Sequence, residues 1–178
     1  MRTFVAIKPP GSVLDAIAAR TAGLEIPDAR LTPRAQWHIT LQFLGDTADV
    51  DAVIALLDAL DTAPAIVQLS HAEPLGNPRR AKVFAVMVAE GGAWMRSLAE
   101  EIARRLEPTG FVPEDRPFLP HLTLARCRRT TPMTAARAAV GEDPIGDPWL
   151  VDHVVVYESR LGSGPAEHLV RATVPLGP

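Results

Sequence analysis

Apolar positions along the chain follow two periods, two residues for strands and about 3.6 for helices. Residues 3–7 alternate and are rich in β-forming types, which predicts a strand over 2–8. Lys8-Pro9-Pro10-Gly11 ends it, and Ser12 can cap a helix running through Val13, Ile17 and Ala18 to residue 22. Pro27 and Pro33 bracket a short extended piece at 29–32. A strand over 37–44 closes on Gly45-Asp46. Thr47 then opens a helix with the stripe Val50, Val53, Ile54, Leu57 and Leu60. Residues 64–75 read as a strand and Gly76-Asn77-Pro78 as a turn. Residues 82–88 form another strand, with Phe84 and Val86 on one face and Val83, Ala85 and Met87 on the other. Gly91-Gly92 introduce a helix through Trp94, Leu98, Ile102 and Leu106. A proline-rich loop, 108–120, leads into a strand at His121; a short helix at 132–140 and strands at 149–158 and 168–175 complete the chain. This order is not a strict βαβ alternation. It predicts an α+β fold of two similar lobes, each an antiparallel sheet with helices on its outer face.

Two of these strands carry the same pattern. The block Trp37-His38-Ile39-Thr40-Leu41-Gln42-Phe43-Leu44-Gly45-Asp46 contains His-x-Thr-Leu, which returns as His121-Leu122-Thr123-Leu124. The chain has 5 His, 12 Thr and 19 Leu in 178 residues, so two chance hits would arise about once in two thousand such chains. Along a strand, His38 and Thr40 share one face and Ile39 and Leu41 the other, and the second copy divides alike. Each strand thus offers an imidazole and a hydroxyl to a cleft and two aliphatics to a core. The separation, 121 − 38 = 83 residues, is close to half the chain, as a duplication would give, with one histidine from each lobe facing a central groove.

Two imidazoles suit phosphodiester chemistry. Near neutral pH one ring can accept a proton while the other, kept protonated by a phosphate, donates one. The hydroxyls of Thr40 and Thr123 can hydrogen-bond the non-bridging oxygens. Neither copy has the neighbouring His or carboxylate spacing of a zinc site, so no metal or cofactor is expected. His71, His153 and His168 lack the motif and read as structural or surface histidines.

Composition adds limits. At 178 residues the chain is one domain, 1–178, and a hydrophobic content of 47% supplies its core. The single Cys127 excludes an internal disulfide, fits a reducing compartment and reads as a strand-end residue. The opening residues are too short and strand-like for a signal peptide, and no apolar run reaches a membrane span, so the expectation is a cytoplasmic monomer. A net charge of −3 argues against coating bulk nucleic acid but leaves room for a local patch. Basic residues cluster at Arg79-Arg80-Ala81-Lys82, at Arg116 and at Arg126-Cys127-Arg128-Arg129, the last expected to contact backbone phosphates. By strand parity Arg126 starts on the face away from His121 and Thr123, so it is expected to reach the groove because the strand ends near Cys127.

Together these blocks resemble the two-histidine phosphoesterases, and within them the bacterial and archaeal RNA 2',3'-cyclic phosphodiesterases, or 2'-5' RNA ligase-like proteins. The similarity is carried by Arg2-Thr3-Phe4-Val5-Ala6-Ile7, by both motif blocks including Phe118-Leu119-Pro120 and Ala125-Arg126, and by Val156-Tyr157-Glu158-Ser159-Arg160-Leu161 with Gly162 to Pro165. It implies a bilobal α+β fold and metal-independent hydrolysis of RNA 2',3'-cyclic phosphate ends to 2'-phosphomonoesters, with 2'-5' joining of RNA ends as a second reaction. It further implies His38 as proton donor, His121 as proton acceptor, and Arg126 and Phe4 in substrate binding. The partners it implies are RNA ends, including tRNA fragments, and small cyclic nucleotides. Where family members often carry a Tyr after the glycine-rich segment, this chain has Glu167-His168, and it lacks the aromatic that many have near Asn77. Two alternatives stand beside this reading: a phosphodiesterase for small cyclic phosphates, such as ADP-ribose 1'',2''-cyclic phosphate, and a non-catalytic RNA- or nucleotide-binding module. Mere binding does not need two titratable groups.

Overall fold

Alternating segments become antiparallel strands, and one seam divides them into two lobes. The computed structural model describes residues 2–46, 49–58, 60–160 and 166–177. In chain order the elements are β1 (Arg2–Ile7), α1 (Gly11–Arg20), β2 (Ala29–Leu31), β3 (Ile39–Asp46), α2 (Val50–Leu57), β4 (Ala65–Pro74), β5 (Ala81–Glu90), α3 (Gly92–Leu106), β6 (His121–Thr131), α4 (Thr134–Val140), β7 (Ile145–Val151), β8 (His153–Arg160) and β9 (Glu167–Pro175). The strands form one curled sheet in the order β7-β4-β5-β6-β3-β1-β8-β9, with β2 on β6. At its middle, among the described residues, a single antiparallel pair, Ile39 with Leu122, joins β3 to β6. On either side β1–β3 and β5–β6 pair along most of their lengths. The order β1-α1-β3-α2 recurs as β5-α3-β6-α4, one copy per motif.

So thin a backbone seam does not hold two lobes together. The helices do. α1 leaves β1 but packs on β7 in the other lobe, and α3 leaves β5 but packs on β3. α3 alone fully buries Met95, Leu98, Ile102 and Leu106. Each such side chain is worth about 1.5–3 kcal/mol, against about 0.5–1.5 kcal/mol for a hydrogen bond at the seam, so the exchanged helices carry the lobe junction. Gly91, which opens α3, has φ +82°, and a Cβ there would meet the Ile66 carbonyl at 2.8 Å. The fold admits only glycine at that turn.

The two-lobed α+β expectation stands, and several boundaries move. The single strand expected over 149–158 is two: Asp152 separates β7, which pairs with β4, from β8, which pairs with β1 in the other lobe. The apolar run continues through the break, so periodicity alone misses the change of lobe. α1 begins at Gly11 behind Pro10 with no side-chain cap, not at a Ser12 cap. Thr47 lies outside the described residues. Asp49 caps α2, its carboxylate accepting the Ala52 N–H at 2.9 Å. Residues 161–165, with the glycine-rich segment, also lie outside the described residues. No helix among the described residues is long and apolar enough to cross a membrane.

Candidate functional site

The strand-face division read from the motifs appears at the seam. Ile39, Leu41, Leu122 and Leu124 are buried in the core, while His38, Thr40, His121 and Thr123 are half-buried on the opposite face. The Ile39–Leu122 pair sets the antiparallel register. It puts His38 alongside Thr123 and Thr40 alongside His121, with the histidines on a diagonal, normally about 7–8 Å between Cα atoms. A phosphate group fits a gap of that size.

Local backbone aims each imidazole in the same way. His38 Nδ1 lies 2.6 Å from the Gln36 carbonyl and His121 Nδ1 lies 2.7 Å from the Leu119 carbonyl, each two residues upstream. A carbonyl only accepts, so each Nδ1 carries the hydrogen and each Nε2 is left to act. His38 Nε2 accepts from the Thr40 hydroxyl at 3.0 Å. The loop before His38 is clamped from three directions. Lys8 Nζ donates to the Ala35 and Trp37 carbonyls at 2.9 and 2.8 Å, the Trp37 indole donates to the Thr32 carbonyl at 2.9 Å, and the Gln36 amide donates to the Ala166 carbonyl. Sequence reasoning misses Lys8 and Gln36 as site residues because their partners are backbone atoms of distant segments.

Arg126 reaches the groove, but not because its strand ends. β6 continues to Thr131. A register shift lies in the β5–β6 ladder, where Ala85 faces Thr123 and Phe84 faces Ala125, leaving Leu124 as an extra residue. This bulge inverts the parity of the residues beyond it. Leu124 and Ala125 are consecutively buried and Arg126 swings to the face of Thr123, donating to its hydroxyl at 3.3 Å. β3 has the matching irregularity, with Ala6 facing Thr40 and Val5 facing Gln42. Gln42 turns back to donate to the Ala99 carbonyl of α3 at 2.8 Å, and Phe43 comes to the face of its partner Phe4. Phe43 and Arg126 stand at the same offset, five residues after each motif histidine, and Phe43 is 46% exposed.

The floor beside His38 is aromatic. Phe4 stacks on His38 with centroids 4.8 Å apart and on Tyr157 at 5.0 Å. His168 approaches His38 edge-on at 5.3 Å and Phe4 at 5.0 Å. Against the expectation that Phe4 contacts substrate, it is 3% exposed and covered by His38, so it supports the imidazole rather than offering a free ring to a base. His168, expected to be structural or surface, is a groove residue. Strand pairing that sets it opposite Ser159 on β8 brings it there. The hairpin carrying Tyr157 and His168 is held by Glu158, 2% exposed, which accepts from Arg160 at 2.8 Å and Arg171 at 2.6 Å.

Burial dominates the electrostatics. It pushes the His38 imidazole down to about 4, against the Gln36 hydrogen bond, and the charges of His168, Lys8 and Arg126 add to the effect. His121 is also lowered, by burial first and then by Arg126 and Arg116. Arg126 therefore acts on both rings. Between pH 6.5 and about 4 an unfolded chain takes a proton at residue 38 that the folded chain refuses, so stability falls as pH drops through that window and levels off below it. The difference is worth roughly 3 kcal/mol. Urea denaturation at the two ends of the window should show His38→Gln losing less stability on acidification than the parent; equal losses would contradict the buried neutral ring.

The remaining candidates lie elsewhere or pair locally. Cys127 is buried within β6, not at its end, and burial pushes its thiol up. His71 sits 3.5 Å from Glu73 and His153 2.6 Å from Asp152. Arg79, Arg80, Arg128 and Arg129 are exposed, and Arg116 pairs with Glu114 while its charge reaches His121. Among the described residues no three His, Cys, Asp or Glu side chains gather as a metal would require. A cavity of about 750 Å³ between α2 and the turn after α3, lined by Leu44, Asp49, Leu56 and Phe111, touches none of His38, Thr40, His121 and Thr123.

The chain is similar in sequence and in fold to known proteins. The family model described as the 2'-5' RNA ligase superfamily matches residues 10–162. The RNA 2',3'-cyclic phosphodiesterase of Aeropyrum pernix is 34% identical over 94 residues, 52% of this chain and 53% of that protein. The protein of the same name from Methanocaldococcus jannaschii is 28% identical over 131 residues, 72% of each chain. The chain thus spans about half the length of the first of these relatives. A crystal structure of a Thermus thermophilus protein, TT0787, superposes with a TM-score of 0.78 at 26% identity, covering 99% of this chain and 98% of that one.

Proposed function

The chain belongs to the 2'-5' RNA ligase superfamily, and from that premise we propose that it hydrolyses RNA 2',3'-cyclic phosphate ends to 2'-phosphomonoesters by acid–base catalysis between His38 and His121. The observation that carries this reading is the single Ile39–Leu122 pair flanked on one face by both His-x-Thr segments, each imidazole tethered at Nδ1. The names of the archaeal relatives support the substrate class.

Opening a cyclic phosphate in line needs a base for the attacking water and an acid for the departing 3' oxygen, on opposite sides of phosphorus. His121 Nε2 takes the water's proton and His38 Nε2–H protonates the 3' oxygen, leaving the phosphate on the 2' position. Arg126 acts on both rings, so the order of the two follows the family resemblance rather than the groove's charge. Burial favours the neutral form of both imidazoles, and a bound phosphodiester's negative charge favours the protonated ring that the acid step requires. Arg126 donates to the Thr123 oxygen, which frees that hydroxyl's hydrogen for a non-bridging phosphate oxygen, and Thr40 serves the other. Every step uses side chains of this chain, with no metal or cofactor required. Joining to a 2'-5' linkage is the same chemistry with an RNA 5' hydroxyl in place of water.

The test is incubation with an oligonucleotide ending in a 2',3'-cyclic phosphate, with and without EDTA, and identification of the product. A 2'-phosphomonoester formed at equal rates in both supports the proposal. A 3'-phosphate, or turnover lost to EDTA and restored by zinc or manganese, refutes it. Small cyclic phosphates in parallel decide between RNA ends and the alternative substrates.

Phe43 supplies what Phe4 cannot. It is the exposed aromatic on the groove face, and stacking a base on it is worth about 1–3 kcal/mol. Phe43→Ala should therefore raise the Michaelis constant for a cyclic RNA end roughly 5- to 100-fold with a smaller effect on kcat, and Phe43→Trp should restore binding. An unaltered Michaelis constant in the alanine variant would remove Phe43 from the site.

A further inference from the structure

Four of the five histidines have a ring nitrogen engaged: His38 and His121 on backbone carbonyls, His71 on Ser70 and His153 on Asp152. His168 is the exception. Among the described residues neither of its ring nitrogens has a hydrogen-bond partner, although the ring is half-buried and fixed on three sides. Phe4 meets it at 5.0 Å, His38 at 5.3 Å and Tyr157 at 6.2 Å. These contacts seat the ring beside His38 without a hydrogen bond among them. Its nitrogens are not among the buried polar atoms without a partner, so they reach solvent and are open to a ligand entering the groove.

The charges around it identify the ligand's sign. His38 faces it from the segment before β3, Lys8 from the end of β1, and Tyr157 and Ser159 from β8; Glu167 precedes it on β9. Glu167 is exposed and its charge acts on Arg160, so the nearest formal charge acting on the imidazole is the Lys8 ammonium. Arg126 adds a second positive charge at His38. A hydrogen-bond donor among cations, beside an imidazole proposed to serve a phosphodiester, suits a phosphate oxygen.

We propose that His168 is an anion-holding residue of this groove, donating to a phosphate oxygen on the His38 side and gripping it harder once protonated. Naming that anion as the terminal phosphate of an RNA end rests on the function proposed above; the hold on an anion does not. Hydrolysis turns a singly charged diester into a monoester that reaches two negative charges, and Lys8 is already committed to two carbonyls. Besides His38, which gives up its proton in the acid step, His168 is the group on this side that can gain a charge to match. Burial and Lys8 both push its imidazole below the ordinary value, so the added grip appears on the acid side of neutrality.

The experiment follows the ring C–H resonances of the histidines in the whole protein while sodium sulfate, dianionic throughout, is added at about pH 7.5 and about pH 5. The His168 resonance should move with sulfate, and binding at the lower pH should be about tenfold tighter in the parent than in His168→Phe, as expected for one lost charge-assisted hydrogen bond. His168→Phe keeps an aromatic ring against Phe4 and Tyr157. His168→Gln keeps a neutral donor and should match the parent at the higher pH only. Equal affinities of parent and His168→Phe at both pH values, or a His168 resonance unmoved while His38 and His121 respond, would overturn the proposal. Adenosine 2'-monophosphate displacing the sulfate identifies the anion as a nucleotide phosphate, and sulfate persisting beside it identifies a free-anion site. If no cyclic RNA end is hydrolysed but the sulfate result holds, His168 stands and the proposed function falls.

Discussion

Replacing His38 or His121 with alanine should each lower turnover of a 2',3'-cyclic RNA end by about 10²–10⁴-fold, the usual contribution of a positioned acid or base. The double variant should be scarcely slower than either single one. In the proposed mechanism the two rings serve one transition state, and once one is gone the other has no concerted partner, so their losses are not expected to add. Each Nδ1 is fixed on a carbonyl two residues upstream, so the Nε2 function is what the reaction loses; because His38 also covers Phe4, His38→Gln, which fills more of that space than alanine, serves as the packing control. The parent's rate against pH should be bell-shaped, with limbs belonging to the pair rather than to one residue each. Near-normal turnover in either single variant, or fully additive losses in the double, would sink the mechanism.

The second large effect is expected at Arg126. Its guanidinium shares the groove face with Thr123 and its charge acts on both imidazoles. One charge-assisted hydrogen bond to a phosphate oxygen is worth about 1.5–3 kcal/mol, so Arg126→Ala should cost roughly 10- to 100-fold in kcat/KM. Most of it should appear in the Michaelis constant, because a diester carries its negative charge before and during the reaction. Arg126→Lys should recover only part, since an ammonium cannot reproduce the planar two-pronged contact. A Michaelis constant untouched by the alanine change would leave Arg126 as surface charge.

The bulge behind Arg126 also marks where reading a sequence stops. Strand parity correctly separates His38 and Thr40 from Ile39 and Leu41, and His121 and Thr123 from Leu122 and Leu124, because period two is a local property of an extended backbone. One extra residue at Leu124 inverts that parity, and another irregularity near Leu41 does the same for Phe43. Bulges are features of paired strands, decided by which neighbour a residue faces. Nothing in Ala125-Arg126 or Gln42-Phe43 by itself announces them.

By itself the sequence determined the antiparallel α+β class, the doubled His-x-Thr-Leu segments, their buried and groove-facing sides, and the family they resemble, since all of these follow from local periodicity or from residues adjacent in the chain. Tertiary structure decided the rest. It split the run around Asp152 between two lobes, exchanged α1 and α3 across the seam, and brought Lys8, Gln36 and Ala166 around the loop that aims His38. It covered Phe4 with His38 and seated His168 beside both. Those relations join residues far apart in the chain, and they depend on how the sheet curls and on which strands become neighbours, information that hydrophobic period does not carry.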